Sequence, residues 1–245
     1  LARNLFRDAG DYATAAALFA DFIRNYPASR QLAEARLMLS RAYRQNGRCD
    51  LAVPAYEQFY IEHADHLSTA DARRERAACL SQQGQFLPAA RAFEEVQRRF
   101  SASEFAASAL LDAAANYNQG QDLRQAIAAY GRLLADYATS PQVHLARYRL
   151  ARLRFAAGRA EEAQQLLSQI IATEPAPLEA PSALLLGGRI DLFLGNRKAA
   201  ETRFKSLEKR FPSAAQTDSA YLHRANHLYG LRLFSQAGDA YQKAF

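Results

Sequence analysis

The side chains that could do chemistry in this chain are few, and two of them are histidines. His223 and His227 lie four residues apart on a predicted helix, so both imidazoles could reach one metal ion. The sequence offers no third ligand at a matching spacing, and a solvated or inter-repeat histidine pair is the alternative. We therefore predict no metal site and no cofactor.

Two cysteines, Cys49 and Cys79, lie 30 residues apart. Cys49 stands in a column of apolar residues, which favours a small buried core residue. A disulfide to Cys79 is the other possibility, and it requires an extracytoplasmic protein and Cα atoms within about 7 Å. No histidine is placed to activate either thiol, and the phosphate-binding, dinucleotide and hydrolase motifs are missing from the sequence. We predict that this segment is not an enzyme.

Composition excludes several other classes of function. The 245 residues are 49% hydrophobic and 23% charged, which is typical of a folded protein and not of a disordered one. The net charge of +6 is scattered along the chain, so the sequence lacks the clustered basic surface of a nucleic-acid-binding protein. No apolar run approaches the roughly 18 residues of a membrane helix, so we expect no direct membrane insertion.

The elements that must position any site repeat every 37 residues. Glycine recurs at positions 10, 47, 84, 158 and 195; Gln121 and Arg232 take the two remaining places, with Gly120 and Gly230 just before them. The residue five positions later is always alanine, and the residue nine positions later is Phe, Tyr or Leu. This self-similarity predicts a repeat array with register positions 10, 47, 84, 121, 158, 195 and 232.

Each repeat is predicted to contain two helices, here called helix A, before the register position, and helix B, after it. Apolar residues follow the spacing of one helical face, as in Tyr12, Ala15, Phe19 and Phe22. A glycine at the junction supplies the positive φ that ends helix A and lets the chain reverse. We predict an all-α fold, a single solenoid over residues 1–245 with about six full repeats and partial repeats at both ends.

Neither end of the chain has the polar face of a capping repeat. Residue 1 already lies within a helical pattern, and Phe245 is predicted to stand in mid-helix without a cap. We therefore expect the chain to be a segment of a longer protein.

These columns resemble tetratricopeptide repeats. The alanine twelve positions before the register, the alanine five after it and the large, mostly aromatic residue nine after it carry the resemblance, which covers the whole chain. The turns Tyr26-Pro27-Ala28-Ser29 and Phe211-Pro212-Ser213 resemble those of bacterial cell-envelope members, such as the outer-membrane assembly lipoprotein and the Tol–Pal coordinator. The resemblance implies a right-handed superhelix whose A helices line a concave groove that binds partners.

Carried over position by position, the resemblance assigns the groove to three columns of helix A, at ten, six and three residues before the register. The exposed polar and aromatic members of these columns are the candidate partner-binding residues. They are Arg41, Arg44, Arg74, Asn118, Tyr148, Arg152, Arg189, Asn226 and Tyr229.

Two polar residues depart from the repeat pattern. Arg154 and Asp191 stand where an aromatic residue is expected. The neighbouring Phe155, Leu192 and Phe193 therefore have two interpretations: apolar anchors in the groove, or core residues that replace the two polar ones.

These expectations favour a non-catalytic scaffold that binds a protein segment in its groove within a bacterial envelope assembly. The arginines and the positive charge favour a partner with an acidic segment. The alternative is a non-catalytic arm of a larger envelope enzyme or of a polysaccharide- or peptidoglycan-processing or export system, in which case the surface would contact glycan. The resemblance favours the periplasm, and the cytoplasm is the alternative.

Overall fold

The structure, a computed structural model, describes residues 1–244, apart from the side chains of residues 8 and 9. The A helices are α1 (Ala2–Asn4), which continues into a π-helical turn at Leu5–Ala9, α3 (Leu32–Gln45), α5 (Thr69–Gln82), α7 (Ala106–Gln119), α9 (Val143–Ala156), α11 (Ala180–Phe193) and α13 (Ala215–Gly230). The B helices are α2 (Tyr12–Asn25), α4 (Cys49–Glu62), α6 (Phe86–Arg99), α8 (Leu123–Asp136), α10 (Ala160–Ile171), α12 (Arg197–Arg210) and α14 (Phe234–Ala244). The expectation for Phe245 lies outside the described residues.

The predicted all-α fold of helix pairs is confirmed, and no β-strand occurs in residues 1–244. Every B helix begins two residues after its register position. The chain divides into two compact units, Leu1–Ala129 and Tyr130–Phe245, here called unit 1 and unit 2. Within each unit, helices pack against their neighbours in sequence, as α3 does against α2 and α4.

The repeated alanine column forms the tightest part of the core. All seven alanines, from Ala15 to Ala237, are at most 1% exposed. The large residues that follow them four positions later fill the space beside these methyl groups, and Tyr56 and Leu167 are completely buried. A methyl group at a helix crossing allows the axes to approach closely, so the column sets the spacing of the helices.

All seven register positions adopt the left-handed backbone conformation, including the two that lack glycine. The φ angles of the five glycines are +64° to +77°, while Gln121 has φ +62° and Arg232 has φ +60°. The expectation that a neighbouring glycine supplies the positive φ is wrong for the repeat of Gln121, because Gly120 has φ −76°. Gly120 serves another purpose, since a Cβ there would lie 2.7 Å from Cδ2 of Leu87.

Gln121→Gly is expected to raise the free energy of unfolding by about 0.5–1 kcal/mol. The substitution removes the strain of a left-handed backbone at a residue with a Cβ, and this gain exceeds the cost of the larger conformational entropy of glycine in the unfolded chain. Thermal melting followed by circular dichroism measures the effect. Gly84→Ala is the matched control, with φ +74° and open space around its Cβ position, and it should shift the melting temperature in the opposite direction. Equal shifts of the melting temperature for both variants would contradict backbone strain at Gln121.

A disulfide joins Cys49 at the start of α4 to Cys79 in α5, with a Cα–Cα distance of 5.2 Å. Cys49 is buried, as its apolar column predicts, and Cys79 is completely buried. The bond thus connects a B helix to the A helix of the next repeat.

Helices α11 and α12 approach each other closely because of two adjacent glycines. Gly187 and Gly188 are both buried on α11. A Cβ on Gly188 would overlap the ring of Phe204 on α12, whereas a Cβ on Gly187 would lie 3.1 Å from Cδ of the flexible Arg203 side chain. The pair therefore occupies a crossing that a larger residue at 188 would force apart.

Gly188→Ala is expected to destabilise unit 2 by about 1–3 kcal/mol, because the methyl group overpacks the crossing against Phe204. Gly238→Ala, in the exposed interior of α14, meets nothing within 4 Å among the described residues and should gain about 0.5–1 kcal/mol instead. Urea unfolding of the two variants beside the parent chain measures both changes, and destabilisation by both would contradict the crossing as the cause.

Candidate partner-binding surfaces

In unit 1, two of the predicted groove arginines are neutralised by the protein itself. Arg41 on α3 forms an ion pair with Asp71, and its Nε donates to Oε2 of Glu75 at 3.0 Å. Arg74, one turn after Asp71 on α5, donates to Oδ1 of that carboxylate at 2.7 Å. The phenolic OH of Tyr56 donates to the same Glu75 oxygen at 2.8 Å.

The burial of this network shows that it holds helices together. Glu75 is only 6% exposed, so its charge depends on the groups around it. Burial opposes the charge on Arg41, but Glu75 and then Asp71 outweigh it and raise the pKa of the guanidinium. Burial, together with the charge of Glu75, also raises the pKa of Tyr56.

Arg74, Arg44 and Asn118 have fewer contacts with carboxylates than Arg41 has. Arg74 also lies over the ring of Phe105, with 4.9 Å between the guanidinium carbon and the ring centroid. Arg44 is half-buried and forms no ion pair with a carboxylate of the described chain. Asn118 is exposed on α7. Of the predicted residues of unit 1, Arg44 and Asn118 are the two without an ion pair to a described carboxylate.

In unit 2, the predicted arginines are exposed and have no counter-ion among the side chains that the structure describes. Arg152 on α9 and Arg189 on α11 form no ion pair with any residue that the structure describes. Asn226 on α13 is also exposed, and its Oδ1 accepts a hydrogen bond of 2.6 Å from the OH of Tyr241. These residues lie on three successive A helices of one compact unit.

Aromatic side chains lie beside these polar groups. Phe155 on α9 and Phe193 on α11 pack edge to face with 5.5 Å between ring centroids, and Phe193 is 72% exposed. Tyr229 is 59% exposed and packs against Phe234 in the same way. Tyr148 is half-buried against the core of unit 2. Exposed aromatic residues next to arginines are the composition of a protein-binding surface.

The two interpretations of the apolar neighbours are now separated. Phe155 and Leu192 are half-buried and pack against core clusters, so the core interpretation holds in part for them. It is wrong for Phe193, which points to solvent. Asp191 is not replaced in the core, because it is itself buried there, and Arg154 is half-buried.

Asp191 is stabilised by partners that sequence reasoning missed. Its Oδ2 accepts from Nε of Arg203 at 2.7 Å, and its Oδ1 accepts from Nε2 of Gln164, also at 2.7 Å. The same Gln164 nitrogen donates to the carbonyl of Gly187 at 3.0 Å. The carboxylate therefore links α11 to the B helices on both sides, α10 and α12.

The two histidines of α13 lie near this surface. Burial, and then the positive charge of Arg189, lower the pKa of His223, so it is neutral at neutral pH. No three His, Cys, Asp or Glu side chains gather as a metal site would require, within the part of the chain that the structure describes. None of the helices in residues 1–244 combines the length and apolar character needed to cross a membrane.

Comparison with known families agrees with this fold. Residues 78–180 match the family described as a tetratricopeptide repeat-like domain, and residues 37–104 and 1–29 each match a tetratricopeptide repeat family. The chain is a tetratricopeptide repeat protein. A search of curated protein sequences finds no significant match.

Several solved structures share the fold. The C-terminal part of a tetratricopeptide repeat protein from Cytophaga hutchinsonii aligns with a TM-score of 0.75 at 14% identity, covering 99% of this chain and 92% of that one. A repeat protein from Parabacteroides merdae gives 0.60 at 16% identity, covering 99% and 89%. The type IV pilus biogenesis factor PilW gives 0.54 at 22% identity, covering 89% and 94%. At these identities the likeness concerns the fold.

Proposed function

We propose that this chain is a non-catalytic scaffold that binds a segment of a partner protein on the A-helix surface of unit 2. This surface, called here the unit 2 surface, consists of Tyr148, Arg152, Arg189, Asn226 and Tyr229 together with Phe155 and Phe193. Tetratricopeptide repeat proteins in general bind other proteins, and the coarse function follows from the family.

A single observation supports the choice of unit 2. Arg152 and Arg189 are exposed without a counter-ion among the described residues, whereas Arg41 and Arg74 in unit 1 are paired with Asp71. The charge of a paired arginine is already compensated by its own carboxylates, so a further carboxylate gains less there than beside a solvated arginine whose charge is uncompensated. An acidic partner therefore gains more from the arginines of unit 2.

The exposed rings add the apolar part of the interaction. Phe193 and Tyr229 lie in the last turns of α11 and α13, where most of each side chain is exposed to solvent. Burial of one such side chain in an interface is worth about 1.5–3 kcal/mol. Arginines would then give the contact its orientation and its dependence on salt.

We place this interaction outside the cytosol, in the periplasm of a bacterial envelope assembly. The disulfide between Cys49 and Cys79 supports this location, because such bonds persist in oxidising compartments and are rare in the cytosol. The turns that resemble the outer-membrane assembly lipoprotein and the Tol–Pal coordinator support it too. The fold is also shared by PilW, a pilus biogenesis factor.

The test is affinity capture with a charge-reversed variant. The purified chain is immobilised, envelope and cytosolic extracts of its source are passed over it separately, and retained proteins are identified. We expect an envelope protein that is retained by the parent chain and lost with Arg152→Glu plus Arg189→Glu, while circular dichroism shows unchanged helix content.

The matched control is Arg197→Glu plus Lys209→Glu. These two cations are exposed on α12, a B helix, and their reversal changes the net charge by the same amount. Loss of binding in this control as well would show that binding depends on overall charge and not on the positions of Arg152 and Arg189. Retention of glycan in place of protein, or equal retention by both variants, would overturn the proposal.

A further inference from the structure

The ion pairs of Arg41 join the A helices of two successive repeats. The two carboxylates, Asp71 and Glu75, come from the A helix of the next repeat, 30 and 34 residues further along the chain. Arg41 stands six residues before its register position, and Asp71 stands thirteen before the next one. Since every repeat has the same length, this offset shows which residue faces the equivalent arginine elsewhere.

In unit 2, the offset leads to residues without negative charge. From Arg152 on α9, 30 residues lead to Ser182 and 34 lead to Leu186, both on α11. Ser182 is half-buried and accepts a hydrogen bond of 3.1 Å from Nε2 of Gln216. Neither position can neutralise the arginine.

The same offset from Arg189 leads to Ser219 and His223 on α13. Arg189 and His223 lie near enough to interact, since the pKa of His223 is lowered by burial and then by the charge of Arg189. Asp218 is the carboxylate nearest in sequence to Ser219, but it is exposed and forms no ion pair with any described residue. Helix α9 itself carries four arginines and no carboxylate.

We propose that unit 2 binds an acidic peptide segment whose carboxylates take, beside Arg152 and Arg189, the positions that Asp71 takes beside Arg41. This deepens the proposed function and rests on it. The occupant is a protein segment with at least two Asp or Glu residues, one for each arginine. In unit 1 the protein supplies the acid from the A helix of its own next repeat, and in unit 2 the partner supplies it.

The surroundings of the two arginines add a second requirement on the peptide. Phe155 follows Arg152 by three residues, and Phe193 follows Arg189 by four, so each ring lies one helical turn from its arginine on the same face. The two rings contact each other and Phe193 is largely exposed. An apolar side chain next to each acidic residue would pack on this aromatic pair.

A charge installed at the serine positions tests the proposal without removing either arginine. The variant Ser182→Asp plus Ser219→Asp places an acid at the two positions of unit 2 that are equivalent to Asp71 in unit 1. A displayed library of random peptides is selected on the parent chain and on this variant, with a no-protein control. Selected peptides are sequenced, and the affinity of one enriched peptide is measured by fluorescence anisotropy.

We expect the parent chain to enrich peptides with paired Asp or Glu next to apolar residues. The aspartate variant should lose this enrichment and bind the chosen peptide at least about tenfold more weakly, because its own acids compete and repel. Ser182→Asn plus Ser219→Asn, which has the same size without the charge, should bind like the parent. Ser108→Asp is a second control, because Ala78 replaces the arginine that would face it.

The outcomes separate this inference from the proposed function. Enriched peptides without an acidic bias, or an acidic bias that survives in the aspartate variant, would overturn the inference and leave the scaffold function standing. No enrichment over the no-protein control would overturn both. If circular dichroism shows that the double variant is unfolded, the single variant Ser219→Asp beside Ser219→Asn decides the same question at Arg189.

Discussion

Arg41→Ala is expected to lower the free energy of unfolding around α3 and α5 by about 3 kcal/mol, because it leaves the buried Glu75 without its cation, while Asp71 keeps Arg74. The loss is large because Glu75 is only 6% exposed and cannot recover its hydration. Tyr56 would remain its sole hydrogen-bond donor among the described residues, at 2.8 Å.

Hydrogen exchange of the backbone amides is the measurement, because it reports local opening even when the two units do not unfold together. Arg44→Ala is the matched control: it removes the same side chain three residues further along α3, where no ion pair is present with the described carboxylates. It should change stability by less than about 0.5 kcal/mol. Equal effects of the two substitutions would contradict a structural role for the Arg41 network.

This result bears on function as well as stability. Arg41 has the residue type and the register of a groove arginine, yet its charge is already used to join two A helices. Charge reversal at Arg41 would therefore confuse loss of binding with loss of structure. Arg152 and Arg189, which have no counter-ion among the described side chains, allow the two effects to be separated.

The fold could be predicted from sequence because each level of the pattern agrees. The apolar spacing, the alanine column and the turn residues all repeat at 37 residues, so every helix pair is specified several times. Gln121 and Arg232 show where this reasoning stops. The repeat length fixes their backbone conformation, although neither residue type favours a positive φ.

The exposure and the charge pairing of the candidate residues were predictable only in part. The helix-A columns place Arg152, Arg189 and Tyr229 correctly at the surface, because exposure follows from helical phase. They do not indicate which charges meet across neighbouring helices. The pair of Arg41 and Asp71 depends on the relative positions of α3 and α5, and the signal that could have found it is an acid 30 residues after an arginine.

Asp191 shows the same limit in the core. Its column predicts an aromatic residue, and a carboxylate is tolerated there only because Arg203 and Gln164 lie 12 and 27 residues away in sequence and next to it in space. Both partners come from B helices, and the approach of α12 to α11 depends on Gly188. A pattern of hydrophobic positions does not contain this information.

The second large effect concerns the disulfide. Reduction of the bond between Cys49 and Cys79 is expected to destabilise unit 1 by about 3.5 kcal/mol, the loop-closure entropy of a cross-link across roughly 30 residues. Both residues are buried, so the thiols remain inside the core and the loss acts mainly through the unfolded chain. Urea unfolding with and without a reductant, followed by circular dichroism, measures it.

The double variant Cys49→Ala plus Cys79→Ala provides the control, because it has no bond to reduce. Its stability should be the same with and without the reductant, and below that of the oxidised parent chain. A parent chain that shows no difference between the two conditions, with free thiols detected by mass spectrometry after alkylation, would contradict the bond. It would also remove the main support for a location in an oxidising compartment, since a cytosolic protein keeps such thiols reduced.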